Sequence, residues 1–429
     1  MKPLTNKNDA EKQSFAPINH WPQRHGEAGR VIHGPWSRKP EVLLTVHDSF
    51  EGLRSIWTAL EVVADCTVFQ THAWLSAWFR HVGARQGIEP AIVVGWDGEG
   101  EAEGPLFIFP FGLKRGFSGT RLVWLGAEFC DYQAPILAKR FSRTVHRSQF
   151  KSLWAEVRAA LPHHDIVELD RLPEFVGEQL NPLLALGNAT RHASSAHMTR
   201  LKPVWSAYYD EKRSSGSKKR DRQKRRKLEE FGEVALVTPQ SPAEIARSID
   251  ELIAQKSAAF ARMGVANPFA RPGVREFYLE LATDPAAKGL IHVSHLDVGG
   301  RIAATNWGVS FRGRYHYVLA SYAAAEEFAR FGPGMVQLME LMRHATETGH
   351  GEFDFTIGDE PYKADWCEVE TRLFDHLEAV TMRGWLALMP AVLRRRAKRF
   401  IKQTPVLWEA FTRLRAVAGS LPGAGMARV

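Results

Sequence analysis

The chain has 429 residues, 45% hydrophobic and 24% charged, with a formal net charge of +8, a globular composition long enough for two domains. Two segments, +7 over residues 218–227 and +6 over 394–402, hold more than the whole excess; the remainder is mildly acidic, which excludes a nucleic-acid coat over the entire surface. Cys66, Cys130 and Cys367 lie far apart, excluding a disulfide framework and a C-x-x-C zinc or redox site. No run of about 18 apolar residues is present, and no secretory signal opens the chain, so a cytoplasmic protein is expected.

Residues 1–40 are polar, dotted with Pro and Gly and without period, and read as a mobile tail. A first domain is expected over 41–205. It opens on VLLTV, followed by a helix with Leu53, Ile56, Trp57, Leu60 and Val63 on one face. A second helix, 72–82, carries Trp74, Leu75, Trp78, Phe79 and Val82 toward the core. Apolar β runs follow at 91–96, 105–113 and 121–125, then a helix over 144–160 and a strand at 165–169.

A second domain is expected over 206–381, beginning with the basic run on a charged helix. A helix with Ile245, Ile249, Leu252, Ile253 and Phe260 inward comes next, then a linker with Pro268 and Pro272. Strands at 290–296, 301–311 and 315–321 are separated by turns at 297–300 and 312–313. A helix from Gly334, with Met335, Leu338, Met339, Met342 and Ala345 on one side, leads to strands at 352–356 and 372–381. The same succession thus occurs twice, about 190 residues apart, and internal duplication is the economical explanation. Residues 382–429 differ in kind. They read as a pair of basic amphipathic helices with Trp385 and Trp408, suited to an anionic membrane surface or to packing on the second domain.

P-loop, H-E-x-x-H, G-x-S-x-G and G-x-G-x-x-G patterns are all missing. The most informative local element is Arg330-Phe331-Gly332-Pro333-Gly334-Met335. Two glycines around a proline at a helix start leave N–H groups exposed where the helix dipole favours an anion, and Arg330 adds a charge. A plain turn with Pro333 at the first helical position accounts for the same residues. Hairpin, third strand, loop, helix, strand resembles the GCN5-related acyltransferase (GNAT) order, in which such a loop holds the acyl-CoA pyrophosphate. The usual Q/R-x-x-G-x-G/A would place its first residue at Ala329, one position before the arginine.

Five strings extend the resemblance over residues 41–380: F-Q-T-H-A-W-L-S-A-W (69–78), V-W-L-G-A-E-F-C-D-Y (123–132), the basic run (218–229), F-G-P-G, and F-D-F-T-I-G-D-E-P-Y-K (353–363). The chain is similar to the CelD-like acetyltransferases of cellulose and exopolysaccharide synthesis, relatives of the FemABX aminoacyltransferases that join two such domains. The resemblance implies an α/β fold of two tandem GNAT-like domains. It also implies transfer of an acyl group, acetyl above all, from acyl-CoA to an amine or hydroxyl of a saccharide or envelope precursor. Acetyl-CoA would be the cosubstrate, with no metal. Transfer from aminoacyl-tRNA, or a non-catalytic adaptor of a polysaccharide synthase, are the other readings.

Acyl transfer requires a base for the acceptor and an acid for the leaving thiolate. Asp354 or Asp359 suits the base, Tyr362 or Tyr322 the acid, and Lys363 suits a carboxylate or phosphate; alternatively Asp354 and Lys363 form a structural ion pair with Tyr362 as packing. The resemblance adds Asp131 and Tyr132 as cleft residues. His316 faces either the cleft or the core. Cys130 lacks an assignable basic partner, and His292 and His295, three apart on a strand, lie on opposite faces and do not share a metal. The basic run 218–227 is a solvated helix face, a guide for tRNA or acidic polysaccharide, or, through Arg222, Arg225 and Arg226, a bridge to carboxylates. No aromatic motif for sequence-specific nucleic-acid readout accompanies it.

Overall fold

The first nine residues of the strand Pro105–Gly116 are all buried, because both its faces are covered. Phe109 and Phe111 meet Phe150 and Trp154 of the helix Phe150–Ala160 on one side, and the helix Arg54–Val63 lies over the strand as well. The computed structural model describes residues 30–32, 42–97 and 104–389; the expected helical tail beyond 389 and most of the N-terminal tail lie outside them. Residues Arg30–Ile32, inside the stretch read as a mobile tail, pair antiparallel with Val42–His47. No described helix is long and apolar enough to cross a membrane.

Two mixed sheets share one plan. In the first, the strands Val42–His47, Ile88–Asp97, Pro105–Gly116 and Gly119–Trp124 form an antiparallel meander, and Ile166–Pro173 then joins in parallel. In the second, Val234–Val237, Ile291–Val298, Arg301–Phe311 and Arg314–Tyr322 form the meander, and Glu352–Ile357 joins in parallel after the helix Pro333–Glu347. The repeated topology matches the duplication expected from sequence. The sheets also trade strands across the 205/206 boundary. Ala196–Arg200 inserts into the second sheet between Glu352–Ile357 and Val369–Thr371, whereas Leu373–Ala379, from the end of the second half, completes the first beside Ile166–Pro173.

The linker expected around Pro268 and Pro272 contains the helix Val274–Thr283, with Val274, Phe277, Tyr278 and Leu281 buried. Its N-cap, Gly273, has φ 88°, and a Cβ there would meet the His81 carbonyl oxygen at 1.8 Å, so only glycine lets this helix abut the first half's backbone. Glu280 of the same helix pairs with Arg80 and His81. Trp74, buried as expected, packs its ring 5.5 Å from Phe277 and 5.7 Å from Trp307. The largest buried apolar cluster therefore runs continuously through both halves.

Candidate active site

The parallel pairing of Arg314–Tyr322 with Glu352–Ile357 lasts three residues, Arg314 opposite Glu352, Tyr315 opposite Phe353 and His316 opposite Asp354, and then stops. Beyond it Glu352–Ile357 stays paired only on its other edge, with Ala196–Arg200. In the first sheet, pairing of Gly119–Trp124 with Ile166–Pro173 likewise ends after two residues. Each half thus opens a wedge between two parallel strands, where sheets of this kind place ligands.

Asp354 stands at the apex of the second wedge, 1% exposed. Its Oδ1 accepts the Tyr132 hydroxyl at 2.7 Å and the Thr356 amide at 2.8 Å; Oδ2 lies 3.3 Å from His316 Nδ1 and 3.6 Å from Arg314 Nη1. Burial alone would raise this carboxyl, but His316, Arg314 and Tyr132 hold it below the ordinary aspartate range. Burial and the adjacent carboxylate push the Tyr132 phenol far up, so it remains a donor. A carboxylate so engaged is a weak base. What it does well is fix the first half to the wedge through Tyr132. His316, 3% exposed, faces this junction, with its ring 6.2 Å from that of Phe69 in the first half.

Next to Tyr132, Asp131 meets different surroundings. Burial raises its carboxyl above the usual range, against the pull of Arg171, the Thr356 hydroxyl and Lys363. A partner that the sequence reading missed is Lys256, on the helix Pro242–Arg262, which a capping box between Ser241 and Glu244 starts. The ammonium of Lys256 is lowered by desolvation, with Glu360 and Asp131 the charges that offset it; it has no ion pair within 4 Å among the described residues. The clue was in the stripe: Ile249, Leu252, Lys256 and Phe260 follow helical spacing, so a lysine takes an inward slot. The carboxyl of Asp131, on the first half, and the ammonium of Lys256, on the second, thus lie within electrostatic reach of each other across the junction of the halves.

At the loop 330–335, Gly332 caps the helix Pro333–Glu347 with φ 71°. The amides of Met335 and Val336 both donate back to the Gly332 carbonyl, at 3.1 and 3.3 Å. Because Pro333 has no N–H, the row of bare nitrogens expected from sequence reduces to that of Gly334. What the sequence did not show is Lys224. Its side chain from the basic helix Ser215–Glu229 lies within 3.8 Å of the point a Gly332 Cβ would occupy, and it has no ion-pair partner among the described residues. Tyr322 packs against Gly334. Arg330 is exposed, stacked on Phe331 at 4.8 Å. One turn further on, Gln337 is fully buried with neither amide atom hydrogen-bonded among the described residues.

The remaining expected residues divide clearly. Lys363 is 3% exposed, with Nζ 3.1–3.2 Å from the carbonyl oxygens of Thr356, Ile357 and Gly358 and 2.9 Å from Glu360. It ties down the end of the wedge strand, and the ion pair it makes is with Glu360 rather than the Asp354 considered from sequence. Asp359, half exposed, accepts from the Ser195 amide at 3.2 Å and lies 3.1 Å from His197 Nε2. Tyr362 packs on Phe355 with rings 6.2 Å apart, and burial raises its hydroxyl. Of the basic run, among the described residues Arg225 is the one of the three candidate bridges that pairs with carboxylates, Glu229 and Glu340, both within the second half. His292 bonds Tyr315 and His295 bonds Ser248, on opposite faces.

The thiols are inert by environment. Burial pushes Cys66 and Cys367 up to about 12 and Cys130 higher still. At neutral pH the native protein is expected to alkylate about 10³-fold more slowly than a free thiol. Timed iodoacetamide labelling checks this; denaturant should expose all three at once.

Comparison with known proteins concerns the fold. Residues 215–364 match the family model of the Acetyltransferase (GNAT) domain. No curated protein sequence matches the chain. Among solved structures, FemX is similar over 75% of this chain and 95% of its own, with TM-score 0.50 and 9% identity. The C-terminal domain of a lysylphosphatidylglycerol synthetase from Agrobacterium fabrum covers 67% of this chain and 85% of its own, at 13% identity and TM-score 0.43. A tandem GNAT protein from the clavulanic acid pathway covers 80% and 99%, at 11% and 0.43. At such identities the likeness concerns the fold. The segment from the basic helix through the wedge strand matches the GNAT acetyltransferase family, and the chain has a mixed α/β, GNAT-type fold.

Proposed function

We propose that the protein is an acyl-CoA-dependent N- or O-acyltransferase whose acceptor, a saccharide or an exopolysaccharide precursor as in the CelD-like proteins, enters between the halves. The observation that carries this reading is Lys224 laid against the Gly332 loop, beside a Gly334 N–H that makes no hydrogen bond among the described residues. A cation beside a helix start suits the pyrophosphate of CoA. The thioester, when bound, supplies the activated acyl group. Asp131 takes the proton of the acceptor amine or hydroxyl as that atom bonds to the acyl carbon; the carbon–sulfur bond breaks and CoA leaves as the thiol, the proton passing to its sulfur. Lys256 holds an anionic group of the acceptor, and the Tyr132–Asp354 bond keeps base and wedge in register.

Calorimetric titration with acetyl-CoA tests the donor side. Lys224→Glu and Gly334→Glu are each expected to weaken binding about tenfold or more, since each sets a carboxylate where an anion should dock. Unchanged affinity in both variants would remove the loop from the donor site.

A second reading, an aminoacyl-tRNA donor, draws on Lys219, Arg222 and Arg226, exposed on the same basic helix and without ion pairs among the described residues. It requires tRNA binding that weakens steeply with salt, and the absence of such binding would dispose of it.

A further inference from the structure

We infer that helix 382–389 and the hairpin tip at Phe117 form one surface that docks on an anionic lipid membrane. The helix is seated with unusual closeness. The Thr381 hydroxyl donates to Asp165 Oδ1 at 2.7 Å, and the Gly384 amide donates to that hydroxyl at 3.0 Å. A Cβ on Gly384 would meet the Asp165 carbonyl oxygen at 2.0 Å. Gly384 and Leu388 therefore face inward and are buried.

The consequence is an inverted amphipathic helix. Met382, Trp385, Leu386 and Met389 follow i, i+3, i+4, i+7 spacing, the pattern of a core-facing stripe, yet they are half to three-quarters exposed. The hairpin between Pro105–Gly116 and Gly119–Trp124 brings a fifth apolar group to the same place. Phe117 is fully exposed at its tip, and its carbonyl oxygen accepts from Arg383 Nη2 at 2.9 Å. Soluble surfaces rarely keep such a patch uncovered.

Charge selects the occupant. Lys114 and Arg383 rim the patch, both exposed. From Thr381 to Trp408 the sequence contains no Asp or Glu and seven Arg or Lys. Aromatic and aliphatic groups on one face, cations beside them and a segment that itself has no acid fit the headgroup and acyl boundary of an anionic leaflet; the nearest carboxylates, Asp165 and Glu89, are engaged by Thr381 and Arg115. An acidic protein would match the cations but leave the apolar stripe wet. Helix 382–389 rests on Asp165 of the first half, the half that also contains Asp131 and Tyr132; if the proposed function holds, this docking would keep the enzyme next to lipid-linked or surface-bound acceptors.

The full-length protein should be sedimented with vesicles of phosphatidylcholine alone and of phosphatidylcholine with phosphatidylglycerol. Partition onto the anionic vesicles, weakening with salt, is expected, with little on the neutral ones. The double variant Phe117→Ser, Trp385→Ser should lose about tenfold or more of that partition, and an unchanged Tm would show that it is folded. Equal partition by the variant would overturn the proposal, because the basic segment alone would then carry attachment. So would failure of the wild-type protein to bind, or a dimer in sedimentation velocity that the double variant dissolves, which would give the face to a second copy.

Discussion

Replacing Asp354 by Ala should cost about 3 kcal/mol of stability, the low end of what breaking a buried charge pair costs, and should loosen the contact between the halves. Among the described residues the carboxylate is the one acceptor for the Tyr132 hydroxyl, and it lies beside His316 and Arg314. Arg314 retains Glu352 at 2.7 Å, which is why the low end applies. Tyr132→Phe removes a single bond to a charged acceptor and should cost about 1.5–3 kcal/mol. Because Tyr132 and Asp354 touch, the two losses should not add in the double variant; urea unfolding of the four proteins measures the coupling. The pH dependence carries the sign. The folded-state pKa of Asp354 is depressed, so its contribution is fully present above the ordinary aspartate value and is lost as pH falls through the folded one. The wild-type advantage over Asp354→Ala should therefore persist at pH 5 and shrink only in stronger acid. An advantage that vanished between pH 7 and 5 would show that the carboxylate is not held below its ordinary range.

This junction also shows where sequence reading reaches its limit. Alternation in Phe353-Asp354-Phe355 correctly set the aspartate opposite the two phenylalanines, which are buried in the second half's core. Alternation cannot tell that the opposite face is covered too, because the cover comes from Tyr132, 222 residues earlier. The repeated strands and helices were legible since each carries its own period. Ala196–Arg200, Val369–Thr371 and Ala189–Arg191 are three to five residues long, too short for a period, and exist as strands through pairing with distant partners. Among site residues, Gly332 and Gly334 stood out as punctuation, but the cation beside them belongs to a run of eight basic residues, and nothing local singles out Lys224. Lys256 was legible in principle. A lysine inside an apolar stripe is the kind of local conflict that functional sites produce.

That conflict leads to the larger kinetic effect. Asp131→Asn should lower kcat by about 10²–10⁴-fold, the range for loss of a positioned proton acceptor, while acetyl-CoA affinity and Tm stay near wild type. The asparagine preserves shape and can still accept from Thr356. With the raised carboxyl of Asp131 as the base, wild-type kcat/KM should climb with pH through a midpoint above the ordinary aspartate value, and Asp131→Asn should flatten that limb. On the alkaline side Lys256, desolvated and lowered, should lose its proton below the usual lysine range, so the rate should fall there. Lys256→Arg keeps the charge and should move the alkaline limb upward. Lys256→Met should raise KM for an anionic acceptor much more than it lowers kcat, because a group that only holds substrate contributes equally to ground and transition states. A loss confined to kcat in Lys256→Met would instead make the lysine the proton acceptor and leave Asp131 as the group that positions it.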